Sequence, residues 1–374
     1  MKNFRAGHLV KRGHYQSFQP NPIHRAWLID DMELIRLLGE ADRALGRLDM
    51  FSEYVPNIAL FINMHVMKEA TQSSRIEGTQ TNLEDALLGE EYVPLEKRDD
   101  WEEVQNSIHA MEAGRAMLSS VPFSSRFLKE THRVLLQGVR GKHKNPGEFR
   151  RTQNWIGGAS IGDAMFVPPT HTSVPDLMGD LEKFAHDEEH HLPELFKIAL
   201  LHYQFETIHP FLDGNGRVGR LMIPLYLVSR GLLRQPVLYL SDFFEKNRAL
   251  YYDNLMRVRE RKDLSQWCKF FLVGIAETAG KGIAVFDGIL KLRAVVEEKI
   301  LAVGPRVAKA QALLHALYRN PIIDAKGVVA ATGVSPASAY KLIGEFERLG
   351  ILKEITGAKR SRLFLFSEYF SLFA

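Results

Sequence analysis

One cysteine, Cys268, stands among 374 residues, so no internal disulfide can form. A lone thiol fits a reducing compartment, the cytoplasm, better than a disulfide-stapled secreted scaffold. Long apolar runs are missing as well. No stretch approaches the roughly eighteen residues a membrane helix needs. The opening residues, MKNFRAGHLVKRGHYQ, are basic but lack the apolar segment of a secretory leader. A P-loop is absent: neither Gly141-Lys142 nor Gly280-Lys281 has the earlier glycine or the following Ser/Thr. The run HDEEHH, 186–191, sets His186 and His190 four apart without an H-E-x-x-H frame, and reads as a solvated helix end.

Charge of one sign is also scarce overall, at a net +3, but it is unevenly spread. Residues 301–374 hold ten Lys/Arg against five Asp/Glu, a surplus of +5 that leaves the remainder at −2. A basic module on a near-neutral body suggests a polyanion or another partner for that end. The 45% hydrophobic and 25% charged content is that of a globular chain able to bury a core.

Helical periodicity dominates. Residues 1–25 read as an extended polar arm. Met32, Ile35, Leu38, Ala41 and Leu45 recur at helical spacing. After Pro56, Ile58, Ile62, His65 and Glu69 fall on one line. Thr81 and Glu84 form a capping box before a short helix. Further helices are predicted at 102–118, 124–137, 176–188, 194–207, 216–230, 247–260 and 265–300, the last interrupted at Gly280–Gly282. The one clear strand signal is 154–169, where Trp155-Ile156 and Met165–Val167 flank a Gly-rich turn.

The stretch HPFLDGNGRVGR, 209–220, concentrates the chemistry. Pro210 restricts His209 to an extended conformation and stops the preceding helix. Gly214 and Gly216 let the backbone approach a bulky anion at the start of the next helix, where free N–H groups and the dipole favour negative charge. Arg217 and Arg220 lie roughly on one face, and guanidinium forks suit phosphate. Asp213 offers a hard oxygen, the usual protein share of a Mg²⁺ site beside phosphates. His209 titrates near neutrality and can take a proton from an attacking hydroxyl. These parts describe transfer of a phosphorus-centred group from a nucleotide.

His209 to Arg220 resembles the signature of Fic-domain proteins at every specified position, and the likeness runs from about residue 25 to the C-terminus. The resemblance implies a mainly α Fic-fold helical bundle with a β-hairpin flap, and transfer of AMP from ATP to a Ser, Thr or Tyr hydroxyl of a protein, which could be the chain itself. By position it implies that His209 is the general base and that Asp213 holds Mg²⁺. Gly214, Asn215 and Gly216 would form the anion hole, and Arg217 and Arg220 would meet the β/γ end. The hairpin 154–169 matches the flap, with Met165 and Phe166 near the nucleotide. Tyr251 and Tyr252 would line the adenine and ribose pocket, one of them in contact, with Arg259 at its edge where the family often has Asn. SSRIEG, 73–78, matches the family's inhibitory motif, so that Ser73, Glu77 and Gly78 are its parts and Glu77 pairs with Arg220.

Residues 324–366 resemble a winged helix-turn-helix, with Ser335 as N-cap, Pro336 at the first helical position, 336–349 as recognition helix and 356–362 as wing. Lys341, Lys359, Arg360 and Arg362 could meet phosphates. The expected division is 1–115, 116–300 and 301–374. Two alternatives stay open: a Fic enzyme that moves another phosphate-containing group or removes AMP, and a nucleotide-sensing DNA-binding regulator. Gly216 argues against the phosphotransferase branch, which tends to have Lys there. DNA or a protein as partner of 301–374, and a homodimer, stay open too; a membrane is not expected.

Overall fold

The computed structural model describes residues 4–55, 57–138, 142–358 and 360–373. In chain order its helices are α1 (Met32–Tyr54), α2 (Ala59–Glu77), α3 (Leu83–Leu87), α4 (Arg98–Met117), α5 (Ser125–Leu135), α6 (Val174–Ala185), α7 (Glu194–Ile208) and α8 (Asn215–Ser229). These are followed by α9 (Ser241–Lys246), α10 (Arg248–Arg261), α11 (Leu264–Leu301), α12 (Val307–Arg319), α13 (Ala325–Thr332), α14 (Pro336–Arg348) and α15 (Ser367–Ser371). Strands are few: β1 (Gly7–Arg12), β2 (Tyr15–Pro20), β3 (Ile322–Ile323), β4 (Lys353–Glu354) and β5 (Phe364–Leu365). Among the described residues no helix is long and apolar enough to cross a membrane.

At the centre lies α7, buried on nearly every side and packed by α6, α8 and α11. It buries Lys197, His202, Gln204 and Glu206 along with its apolar residues, and packing from several neighbours fixes its C-terminal end. Outside it, α1 and α11 pack along each other. The buried line of α1 is Leu34, Leu37, Ala41, Leu45 and Leu48. The predicted line fails at its start, because Met32 and Ile35 are exposed. Leu38 is a partly buried neighbour. The continuous stripe is the one that carries on to Leu48. The predicted interruption of α11 is also absent. A Cβ on Gly282 would meet Leu48 Cδ1 at 2.8 Å, so this glycine serves close helix packing, not a break.

The extended arm expected at 1–25 is instead an antiparallel hairpin, with Gly7 opposite Pro20 and Arg12 opposite Tyr15. Phe18 N–H donates to Val167 O at 2.8 Å, and the Phe18 and Phe166 rings lie 5.9 Å apart. The hairpin thus rests on segment 154–169. That segment has the predicted form in reduced length: Ile156 and Phe166 exchange both backbone hydrogen bonds around left-handed Gly157 and Gly158. Asp163 closes the tip by accepting the N–H groups of Ala159 and Ser160. The 186–191 run does not join His186 to His190. His186 bonds Phe123 O, whereas His190 pairs with buried Asp187, near His24. At α3 the cap is Asn82, whose Oδ1 accepts from Asp85 N–H at 2.7 Å; the expected Thr81 is buried.

One helix links both halves of the structure. At its N-terminal half α2 packs against α12, with Phe61 beside Tyr318 and Tyr369 and His65 beside Phe373. Asn63 Nδ2 donates to Arg319 O at 2.8 Å. Midway, Glu69 accepts from the N–H and hydroxyl of Ser241. Burial pushes the Glu69 carboxyl up to about 7 despite those bonds. The helix stops at Gly78 in the left-handed region (φ 108°), where Gly78 N–H returns to Arg75 O and Thr79 N–H to Ser74 O.

Beyond α11, β3, β5 and β4 form an antiparallel sheet beside α12, α13 and α14. Gly333 turns between α13 and α14, and Ser335 Oγ caps α14 by accepting from Ser338 N–H. Leu342 and Phe346 face inward. Lys341, Arg360 and Arg362 are exposed, and Lys359 lies outside the described residues.

Candidate active site

At the end of α7, His209 N–H donates to Phe205 O at 2.9 Å, and His209 takes φ 50° and ψ 61°. This left-handed turn overturns the extended conformation expected before Pro210. The surrounding bonds hold it in place. Arg150, 2% exposed, donates to the carbonyls of His209, Thr152, Pro169 and Ile208. Its own N–H donates to Pro210 O at 2.8 Å. One guanidinium therefore ties the motif loop to the foot of the flap segment. No sequence pattern marked Arg150, because its partners are backbone carbonyls.

The rest of the loop is held just as closely. Asn215 Oδ1 accepts from Phe211 N–H at 2.8 Å while its Nδ2 donates to Phe211 O at 2.9 Å. Its side chain is thus committed to loop closure, and only its backbone faces the helix start. The Phe211 ring stacks on His132 at 3.7 Å. Gly147 N–H donates to His132 Nδ1, so Nε2 carries the proton and donates to Asp213 O at 3.0 Å. Burial drives His132 down to about 4, keeping it neutral in this role. Gly214 (φ 73°) opens α8.

A cavity of about 500 Å³ opens at this loop. Its walls include His209, Gly216, Arg220, Glu77, Met165, Phe166, Tyr251 and Tyr252, all singled out from sequence. Arg259 also lines it, with its guanidinium 3.8 Å over the Phe166 ring. A cleft of similar size between α2 and α12 is walled by Ala59, Leu60, Ala312 and His315 and gathers no comparable acid, base and guanidinium set.

Ser73, Gly78, Asp213, Gly214, Asn215 and Arg217 are not cavity walls. Arg217 turns to Glu103 Oε2 at 3.2 Å, with Asp213 Oδ1 at 3.8 Å. Asp213 keeps a half-exposed carboxylate that takes the Gly214 N–H. That hard, accessible oxygen fits a Mg²⁺ ion held mainly by phosphates and water.

Arg220, 2% exposed, is fully engaged. Nε donates to Ser73 Oγ at 2.9 Å, and Nη2 donates to Ser73 O at 2.9 Å and to Glu77 Oε1 at 2.5 Å. Burial pushes the Glu77 carboxyl up, but Arg220 outweighs it and holds the group below its usual range. A Cβ on Gly216 would come 2.1 Å from Glu77 Oε1. Glu77 therefore lies directly on the glycine backbone at the start of α8.

His209 is driven down to about 4, first by burial and then by Arg150, with Glu77 acting in the opposite sense. Its imidazole is neutral at pH 7, and its Nδ1 is buried without a partner among the described residues. Of the paired tyrosines, Tyr251 is 1% exposed, packs on Phe244 and donates its hydroxyl to His202 Nε2, whereas Tyr252 is 37% exposed. The more open ring is Tyr252. Glu206 also lines the cavity and escaped sequence reasoning.

The chain matches two family models, Fic/DOC family N-terminal over residues 35–116 and Fic/DOC family over residues 122–227. Together they span about half of it, and the chain belongs to the Fic/DOC family. It is 33% identical over 147 residues to the protein adenylyltransferase Fic of Culex quinquefasciatus, covering 38% of this chain and 26% of that one. It is 29% identical over 159 residues to the protein of the same name from Drosophila grimshawi, covering 41% and 29%. The likeness therefore spans under a third of those relatives' length.

A Fic family protein from Desulfovibrio desulfuricans superposes with a TM-score of 0.56 at 19% identity, covering 92% of this chain and 98% of that one. A Fic-domain-containing signaling protein from Bacteroides thetaiotaomicron gives a TM-score of 0.51 at 17% identity, covering 68% and 97%. These two show a shared fold.

Proposed function

We propose that the chain is a protein adenylyltransferase that moves AMP from ATP to a Ser, Thr or Tyr hydroxyl of a protein, and that Glu77 restrains it. The observation that carries this reading is the cavity in which a neutral His209, the Gly216 backbone and Arg220 meet, with Glu77 lying against the last two. The hydroxyl oxygen attacks the α-phosphorus as its proton passes to the His209 imidazole. The bond to the β-phosphate breaks, and pyrophosphate leaves. The start of α8 supplies N–H groups to phosphate oxygens, and Arg220, once free of Glu77, supplies a guanidinium. Asp213 would hold Mg²⁺, which contributes positive charge to the phosphates when bound. The division at 1–115, 116–300 and 301–374 and a cytoplasmic setting belong to this reading, the latter supported by the single buried Cys268.

Intact-mass measurement of Glu77→Gly protein with ATP and with other nucleotides tests it. Addition of an AMP mass to a hydroxyl supports AMP transfer. Another adduct, or none with any nucleotide, overturns it. The pH dependence follows from His209. A general base acts in its neutral form, present above its pKa. With that pKa near 4 in the free protein, kcat/KM for ATP shows no inflection from His209 between pH 8 and about 5 and falls below that. Removing Glu77 lowers the His209 pKa of the free protein further, since its charge is the larger of the two influences that raise it. A fall centred near 6.5, the value of a free histidine, would show a solvent-like imidazole and sink the assignment.

A second reading, DNA contact by residues 301–374, rests on Tyr340, Lys341 and Arg348 being exposed on α14 beside exposed Arg360 and Arg362. With about four phosphate contacts, affinity for duplex DNA drops on the order of 100-fold between 50 and 200 mM salt. Fluorescence anisotropy reads this; no binding at low salt would leave the module to a protein partner.

A further inference from the structure

We infer that Glu206 is a specificity-determining residue whose carboxylate accepts a hydrogen bond from a donor on the nucleoside part of the bound nucleotide, a ribose hydroxyl or an exocyclic base amine. This rests on reading the cavity as a nucleotide site. Glu206 sits in the last turn of α7, three residues before the left-handed cap residue His209, and both line the cavity. It is 6% exposed, and its Oε1 is buried with no hydrogen-bond partner among the described residues. A buried acceptor left open is costly, and it is kept where something outside the free protein completes it.

The neighbouring guanidinium groups do not fill that role. Arg220 is bonded to Ser73 and Glu77. Arg259 donates to Thr207 Oγ1, to Met256 Sδ and to the backbone oxygen of Glu206, not to its carboxylate. Space has been left for the group. A Cβ on Gly219 would come 2.3 Å from Glu206 Oε1, as one on Gly216 would from Glu77 Oε1. Two glycines of α8 thus each seat a glutamate, both within the first turns of the helix and both N-terminal to Arg220. A glycine inside a helix is unfavourable in itself, so the second seat is retained against local preference.

The sign of the charge selects the ligand part. A carboxylate repels phosphate and accepts from hydroxyl or amine donors. Burial also pushes Glu206 up to about 7, with Arg220 opposing, so near pH 7 the group is about half neutral and a bound donor draws it to the carboxylate.

Calorimetry in the Glu77→Gly protein tests this with ATP, 2′-deoxy-ATP, 3′-deoxy-ATP and ITP, each against Glu206, Glu206→Gln and Glu206→Ala. The Gln variant keeps the shape and an acceptor, so it binds ATP better than the Ala variant. Glu206→Ala weakens ATP on the order of 10-fold or more. It weakens the analogue that lacks the relevant donor by much less, and that analogue identifies hydroxyl or amine. Binding of ATP within about two-fold of the parent by Glu206→Ala overturns the inference. So does an equal loss for every analogue, which would mean that Glu206 acts only on the fold or on Arg220. If the parent binds none of the four nucleotides, the functional reading fails first and the inference goes with it.

Discussion

Glu77→Gly raises AMP transfer on the order of 100-fold, chiefly in kcat. The carboxylate holds the one cavity-lining guanidinium of the motif and rests on the Gly216 backbone, so it occupies a position suited to a phosphate oxygen. ATP could still enter, but its terminal phosphates would be displaced and its α-phosphorus misaligned. An error of about 1 Å in such a reaction costs roughly 100-fold in rate. With glycine at 77, Arg220 keeps its bonds to Ser73 and stays aimed along α8, which leaves Nη2 with donor capacity for phosphate. Timed intact-mass or radiolabel assays of self-modification read the change. A Glu77→Gly protein no faster than the parent would refute the inhibitory role.

His209→Ala in the same background lowers transfer by about 10²–10⁴-fold, the usual span for losing a positioned proton acceptor. ATP affinity stays within a few-fold, because the α8 backbone and Arg220 remain. That split between rate and binding separates a base from a structural loop residue. The left-handed backbone at 209 costs alanine roughly 1–2 kcal/mol, so His209→Asn, which tolerates that region, is the matching control. Both variants should be equally slow. Transfer preserved in either would mean that another group takes the proton.

The 209–220 loop was legible because its chemistry is consecutive. Histidine, carboxylate, glycines and arginines within a dozen positions declare a helix start built for an anion. Glu77 and Arg220 lie 143 residues apart, and nothing in spacing or periodicity joins them; only the likeness to a family did so, and the geometry supplies the contact. Glu206 stayed hidden because it is one of several polar residues in an all-round buried helix, and nothing in its spacing sets it apart from Lys197, His202 or Gln204. The partner it lacks is not in the chain. The N-terminal hairpin was missed for a related reason. Its strand residues show no clean apolar alternation, and β2 is steadied by Val167 O, far along the sequence. Gly280–Gly282 misled in the opposite direction, since a glycine that admits a neighbour's leucine resembles one that ends a helix. Short α9 carried too little pattern to be anticipated, whereas α12 was overlooked although Ala310, Leu313, Leu314 and Leu317 recur at helical spacing. Helix α11 and the pair α7–α8 were recovered within a residue or two because their length lets periodicity accumulate.

Glu77 and the aromatic cluster of the C-terminal region belong to two ends of one rod. Phe61, wedged against Tyr318 and Tyr369, and Ser73, bonded to Arg220, stand about 18 Å apart on the same uninterrupted helix. Trimming the chain after α11 would remove the α12 packing at the start of that rod and leave it held by α4, α8 and α9. Rates from such a fragment and from the intact chain would therefore compare two different mountings of Glu77, not one site with and without an accessory.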